Sequence, residues 1–209
     1  MGESQSIGNG RTALTTDDPL TTDAVPATRR SSPKALNLFA YTGVATLVLA
    51  RSGMPVAHVD AAKPNVQTAR QFASANGLAG AAIRYLVDDA ASFVRREIRR
   101  GHRYHTIVMD PPAYGHGPKG KPWRLRRDLP PLLSDALELF SGRSLRLLVT
   151  GHSAEMDQTD VLTFLQRKVA NRRIGRLDPI WETGRMGLID ASGRQLDAGF
   201  YVRCRAERV

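Results

Sequence analysis

The sequence predicts an α/β fold, Rossmann-like, with a doubly wound, mainly parallel sheet and an antiparallel hairpin at its C-terminal end. Three observations predict it. From Lys34 onward, short apolar runs alternate with helical patterns. A glycine or an acidic residue stands at the end of each of the first four apolar runs. The chain closes on two strand-like runs separated by turn residues.

The elements follow in order. Leu36 to Phe39 reads as a first strand, running into a turn with Gly43. Val44 to Ser52 reads as a helix stopped by Gly53. Val56 to Val59 is a second strand, closed by Asp60. Pro64 to Ala75 is a helix with proline in its first turn and Asn76-Gly77 at its end. Ile83 to Val87 is a third strand, closed by Asp88 and Asp89, and Ala90 to Arg100 the next helix. Thr106 to Met109 is a fourth strand running into Asp110-Pro111-Pro112. The stretch Ala113 to Arg127, rich in Gly, Pro, Lys and Arg, reads as a loop. Leu129 to Phe140 is a helix, Leu145 to Thr150 a fifth strand, and Thr159 to Ala170 a further helix. Asp190-Ala191-Ser192-Gly193 supplies the turn of a hairpin between strands near Trp181 to Ile189 and Phe200 to Arg205.

Residues 1–33 are rich in Ser, Thr, Gly and Asp without apolar periodicity and read as a disordered tail, so one folded domain spans residues 34–209. The chain has a net charge of +10, which calls for a polyanionic partner, RNA first. Its single cysteine, Cys204, excludes a disulfide framework and a multi-cysteine zinc site, so no metal is expected and a reducing cytoplasm fits. No apolar run approaches the roughly 18–20 residues of a membrane helix, and the N-terminus lacks the apolar core of a secretion signal.

In a doubly wound sheet, ligands bind beyond the carboxyl ends of the strands. Gly43, Asp60, Asp88 with Asp89, and Asp110 occupy four such ends. A small residue after the first strand lets backbone N–H groups approach a ligand. A carboxylate after the second can accept from both ribose hydroxyls, and one after the third from an adenine amine. Any one of these acids could equally be a turn or cap residue; the four together point to an adenosine ligand. A dinucleotide site would want G-x-G-x-x-G after the first strand, and Phe39 to Ala45 holds one glycine. S-adenosylmethionine carries no phosphate and needs no such turn.

Asn37-Leu38-Phe39-Ala40-Tyr41-Thr42-Gly43 resembles the cofactor loop of the bacterial 5-methylcytosine ribosomal RNA methyltransferases that act on the large subunit. Val59-Asp60, Asn76-Gly77-Leu78, Asp88-Asp89-Ala90 and Val108-Met109-Asp110-Pro111-Pro112 continue the likeness in order. It covers roughly Ala35 to Ser153. The resemblance implies the class I methyltransferase fold for residues 34–209 and S-adenosylmethionine as methyl donor. It implies that Phe39, Tyr41, Thr42 and Gly43 surround the methionine part and that Asp60 holds the ribose. Asp89, with Asp88 second, would hold the adenine edge, and Asp110, Pro111 and Pro112 would line the methyl-transfer site.

The likeness departs at one point that matters. Carbon 5 of cytosine becomes nucleophilic when a cysteine thiolate adds to carbon 6. The resembling family places that cysteine just after the fifth strand, where this chain has His152. Cys204, in the last strand, reads as a small buried hydrophobe. The 5-methylcytosine reaction therefore does not transfer. Asp-Pro-Pro followed by an aromatic is the pattern of enzymes that methylate exocyclic base amines. Here Ala113 takes the aromatic place and Tyr114 follows one residue later. His152 could assist proton removal, or be a structural residue at a strand end.

Basic residues fall in three runs. Arg95, Arg96, Arg99, Arg100 and Arg103 form the first, and Arg167, Lys168, Arg172, Arg173 and Arg176 the third; both read as solvated helix faces. The middle run, Lys119, Lys121, Arg124, Arg126 and Arg127 with Trp123, follows the Asp-Pro-Pro motif and reads as an RNA contact, with Trp123 stacking an unpaired base. The expected function is methylation of a base in RNA, ribosomal RNA first. A methyltransferase for a protein or small molecule, or an inactive RNA-binding relative, stays open beside it.

Overall fold

Seven strands form the central sheet, in the order β3-β2-β1-β4-β7-β9-β8. The computed structural model describes residues 33–116, 122–140, 144–171 and 178–207. Apart from Pro33, the expected tail of residues 1–33 lies outside them. β1 (Ala35–Leu38) is buried along its whole length and pairs in parallel with β2 (Val56–Asp60) on one side and β4 (Thr106–Met109) on the other. β3 (Ile83–Val87) lies outside β2, and β7 (Ser144–Gly151) beyond β4, both also parallel. The winding reverses between β1 and β4, which opens a crevice at their carboxyl ends. β9 (Gln195–Glu207) and β8 (Ile180–Ile189) close the sheet as the expected antiparallel hairpin.

The helices connect these strands. α1 (Val44–Arg51) and α2 (Lys63–Ala75) flank β2, and α3 (Ala90–Arg99) joins β3 to β4. α3 turns Phe93 and Val94 into the core while its arginines stay at the surface or half-buried. α5 (Gln158–Asn171) follows β7 and inserts Val161 and Leu165. Among the described residues no helix is long and apolar enough to cross a membrane.

The largest departure from the sequence reading lies at residues 113–127. The expected loop contains a small antiparallel pair, β5 (Tyr114–His116) with β6 (Pro122–Arg124). α4 (Leu125–Glu138) then begins four residues before the expected start at Leu129. Pro130-Pro131 marks a helix entrance in sequence, yet here both prolines lie inside the helix. Each forfeits one bond, to the carbonyls of Arg126 and Arg127, which are surface residues. Burial of Leu125 and Leu129 on the core face holds the added turn, and the Asp128 carboxylate accepts the Arg124 N–H at 2.8 Å.

β1 ends one residue earlier than expected, because Phe39 (φ 53°) and Tyr41 (φ 48°) take left-handed backbone. Gly43, at φ 91°, completes the turn into α1. A side-chain carbon there would stand 3.0 Å from the Ala69 Cβ of α2. Gly43→Ala is therefore expected to destabilise the fold by about 1–3 kcal/mol, read as a lowered urea midpoint. An unchanged midpoint would show that the two helices do not need this close approach.

Candidate active site

The carboxyl ends of β1, β2, β3, β4 and β7 surround a cleft of about 490 Å³. Phe39, Tyr41, Asp60, Asp88, Asp89 and Asp110 all line it, with Pro111, Pro112, Trp123 and His152. Its size suits a small-molecule ligand, and its wall is apolar with a few convergent carboxylates.

Asp60 organises one end. Its carboxylate accepts the Tyr41 N–H at 2.8 Å, the Ala62 N–H at 2.9 Å and the Asn65 side-chain amide at 3.1 Å. The bond to Tyr41 ties the left-handed loop after β1 to the end of β2. Asn65 was not singled out in the sequence; its place in the first turn of α2, five residues after Asp60, is the only signal it offers.

Asp88 and Asp89 divide the tasks at the end of β3. Asp88 forms an ion pair with Arg96 and accepts the Asp89 N–H at 2.9 Å. Asp89 is the N-cap of α3, its Oδ1 accepting the Ser92 N–H at 2.8 Å. The cap reading is thus met at Asp89, and its second oxygen has no protein partner among the described residues.

At the other end the Thr150 hydroxyl donates to Asp110 Oδ1 at 2.7 Å, which orients that carboxylate in the cleft. The Trp123 indole N–H donates to the Pro112 carbonyl at 2.8 Å. The Pro111 carbonyl has no donor among the described residues. His152 is exposed, and its Nε2 lies 3.9 Å from Asp197.

Several expectations need correction. Trp123 is only 9% exposed; its ring packs 4.9 Å from that of Phe39, and its N–H is spent on Pro112. It is a wall of the cleft, not a surface ring free to stack RNA. Tyr114 is exposed and does not line the cleft: its hydroxyl donates to Glu155 at 2.6 Å, a bond that raises its pKa above the ordinary value. Thr42 and Gly43 also lie outside the lining, Gly43 serving the helix contact described above. Arg124 and Arg126 are exposed, Arg126 donating to the Glu155 carbonyl, while Arg127 is engaged by Asp128 and the Pro122 carbonyl. Lys119 and Lys121, and Arg172, Arg173 and Arg176 of the third run, lie outside the described residues.

A polar network that the sequence did not announce lies beneath the loop. The Asn37 amide donates to the Thr46 hydroxyl at 2.9 Å, and that hydroxyl shares a 2.9 Å bond with His58 Nδ1. All three residues are buried. Burial holds the His58 imidazole down at a pKa of about 4, against a smaller upward pull from Asp60.

Cys204 is buried in β9, and burial pushes its thiol up to about 12. It has neither the access nor the thiolate for nucleophilic work. Under native conditions it is expected to resist an alkylating reagent that labels it fully in denaturant, followed by mass spectrometry. Rapid labelling of the folded chain would contradict its placement.

No family model matches the chain. It is 34% identical over 95 residues to ribosomal RNA large subunit methyltransferase I of Klebsiella pneumoniae, a match covering 44% of this chain and 24% of that one. It is 29% identical over 108 residues to ribosomal RNA large subunit methyltransferase K/L of Shewanella frigidimarina, covering 51% of this chain and 15% of that one. The chain thus spans a minor part of the curated relatives it matches. In structure it is similar to an S-adenosylmethionine-dependent methyltransferase from Agrobacterium tumefaciens, with TM-score 0.75 and 34% identity over 86% of this chain and 57% of that one. Magnesium protoporphyrin IX methyltransferase from Synechocystis, solved with S-adenosylmethionine, shares the fold at TM-score 0.58 and 14% identity, over 85% of this chain and 71% of that one. Sheet order, cleft and likeness agree: the chain has the class I methyltransferase fold and resembles the ribosomal RNA large-subunit methyltransferases in sequence.

Proposed function

We propose that this chain binds S-adenosylmethionine in the cleft and methylates a base of RNA, ribosomal RNA first, in the cytoplasm. The observation that carries the reading is the convergence of Asp60, Asp89 and Asp110 on one cleft of about 490 Å³ between apolar walls. The residues suit the cofactor's chemistry. Asp60 would hold the ribose, Asp89 the adenine edge, and Phe39 and Tyr41 the methionine part. The nearby carboxylates complement a sulfonium cation. When bound, the cofactor supplies an electrophilic methyl group.

The rest is done by this chain's own residues. The cleft holds no cysteine, since the sole one is buried in β9, so a thiolate addition to a pyrimidine ring has no agent here. Asp110, oriented by Thr150, and the Pro111 carbonyl, which has no donor among the described residues, would serve as acceptors for the two hydrogens of an exocyclic amine. Such a pair aims the nitrogen lone pair and leaves catalysis largely to positioning. His152, exposed at the rim, is available to take the proton released. Arg124 and Arg126 lie near enough in sequence to the motif to hold phosphates of the substrate.

Incubating the chain with methyl-labelled cofactor and deproteinised ribosomal RNA, then analysing nucleosides, tests this reading. Label on an exocyclic nitrogen is expected. A parallel incubation replaces the RNA with protein extract; label found only there, or in neither while the cofactor binds, would replace this reading with one of the other two functions.

A further inference from the structure

β9 is longer than the strand it pairs with in the sheet. Its pairing with β7 ends at Phe200, opposite Gly151, the last residue of β7. Residues Gln195 to Gly199 therefore run past the carboxyl end of β7, on the same side as the cleft. They carry the end of β8 with them, Leu188 opposite Leu196 and Ile189 opposite Gln195. The result is a two-stranded arm that extends the hairpin by roughly 15 Å at the ordinary strand rise.

The arm has defined ends. At its root, Gly199 has φ 95°, and a side-chain carbon there would lie 2.3 Å from the Gly151 carbonyl oxygen, so the strand crosses the end of β7 in contact with it. Asp197 binds Arg185 across the arm and faces His152 of the cleft at 3.9 Å. At the tip, Asp190 accepts the backbone N–H groups of Ser192 and Arg194, the Ser192 hydroxyl and the Arg194 guanidinium. Isolated two-stranded ribbons are marginal in water, so this bonding shapes the tip in advance.

Directly behind this polar turn the arm presents apolar side chains. Leu188 is 63% exposed, Ile189 77% and Leu196 61%, with Leu188 and Leu196 cross-strand neighbours. The two arginines of the arm are matched by its two aspartates, so it is no cationic phosphate grip. A base inside a folded RNA must leave its stack to reach a methyl donor held in a cleft, and unstacking is costly. Proteins that open a stack insert apolar side chains such as Leu and Ile between base steps. We propose that the end of the β8–β9 arm is such a wedge, entering the RNA stack beside the target nucleotide while that base occupies the cleft. The inference rests on the RNA-base reading above. It selects RNA as the occupant because the arm rises from the cleft rim itself, where that substrate would lie.

The test uses the pair Leu188→Ser with Leu196→Ser, on the full chain. Two substrates are compared: deproteinised large-subunit ribosomal RNA refolded with magnesium, and short single-stranded fragments of the same RNA. The pair is expected to slow methylation of the folded RNA by about tenfold or more. Fragment methylation and calorimetric binding of S-adenosylmethionine should stay at wild-type levels. Equal rates on folded RNA, or equal losses on both substrates, would overturn the wedge alone. Wild-type chain inactive on both RNAs would remove the RNA reading and the wedge with it. If the pair instead turns a dimer into a monomer in sedimentation, with RNA methylation intact, the tip is a contact between copies and the wedge fails.

Discussion

Asp60→Ala is expected to weaken binding of S-adenosylmethionine about a hundredfold or more, the scale of losing a charge-assisted hydrogen bond at a partly buried site. Two effects add. The direct one is removal of the acceptor for the ribose. The indirect one follows from what Asp60 already holds. Three protein donors converge on it, from Tyr41, Ala62 and Asn65. An ionised carboxylate offers about four acceptor positions, so roughly one remains for a ligand. Ribose presents two hydroxyls, so a bidentate grip would require one protein donor to yield. The Tyr41 N–H is the donor placed to do so, because it alone sits on Oδ2 while the other two share Oδ1. Tyr41 also has a left-handed backbone at φ 48°, unusual for a bulky residue. Without the Asp60 carboxylate the loop keeps only the Ala40 N–H bond to the Val59 carbonyl of β2, at 3.1 Å, so Tyr41 should relax from its left-handed backbone before the ligand arrives. Asp60→Asn keeps one carbonyl oxygen and should fall between the two. Titration calorimetry on the folded variants reads all three. Wild-type affinity in Asp60→Ala would mean that the carboxylate serves local backbone only, and the ribose assignment would be lost.

The fold was legible from Lys34 onward because each strand is a short apolar run closed by Gly or Asp, and buried parallel strands carry that pattern locally. The strand-end acids were legible for the same reason: they stand where the chain leaves the sheet. What the sequence hid are contacts between distant segments. Trp123 reads as a surface ring among lysines and arginines, yet Phe39 and the Pro112 carbonyl draw it into the wall. Nothing local separates a tryptophan that meets RNA from one that meets a loop 84 residues earlier. α4 starts four residues before the expected Leu129 because burial of Leu125 on the core face holds an added turn, even with two prolines inside the helix. Asp88 and Asp89 are adjacent and alike in sequence. Only the Arg96 pairing of one and the α3 cap of the other tell them apart.

Acid is expected to weaken this fold through His58. The residue is buried under the cofactor loop, its Nδ1 is bonded to Thr46, and its Nε2 finds no partner among the described residues. An imidazolium there would hold an Nε2–H with no acceptor among the described residues, and a charge cut off from water. The folded-state pKa is accordingly about 4 rather than 6.5. A depressed histidine pKa means that the neutral form is the one the fold favours. Above the unfolded value of 6.5, both states are neutral and the contribution is fully present. As pH falls from there toward 4, the unfolded chain takes up a proton that the folded chain refuses. Stability then drops by about 1.4 kcal/mol per pH unit, roughly 3 kcal/mol over the window. Urea unfolding at several pH values between 7 and 4 measures the slope, and His58→Asn supplies the comparison, since it keeps a polar side chain but cannot titrate. Carboxylates such as Glu97, whose pKa is lowered by its bonds to Tyr104 and His102, contribute to both chains alike and cancel in the difference. The wild-type slope should exceed that of the variant by close to one proton over this window. Identical slopes would mean that His58 titrates as it does in water, and that water reaches the network beneath the loop.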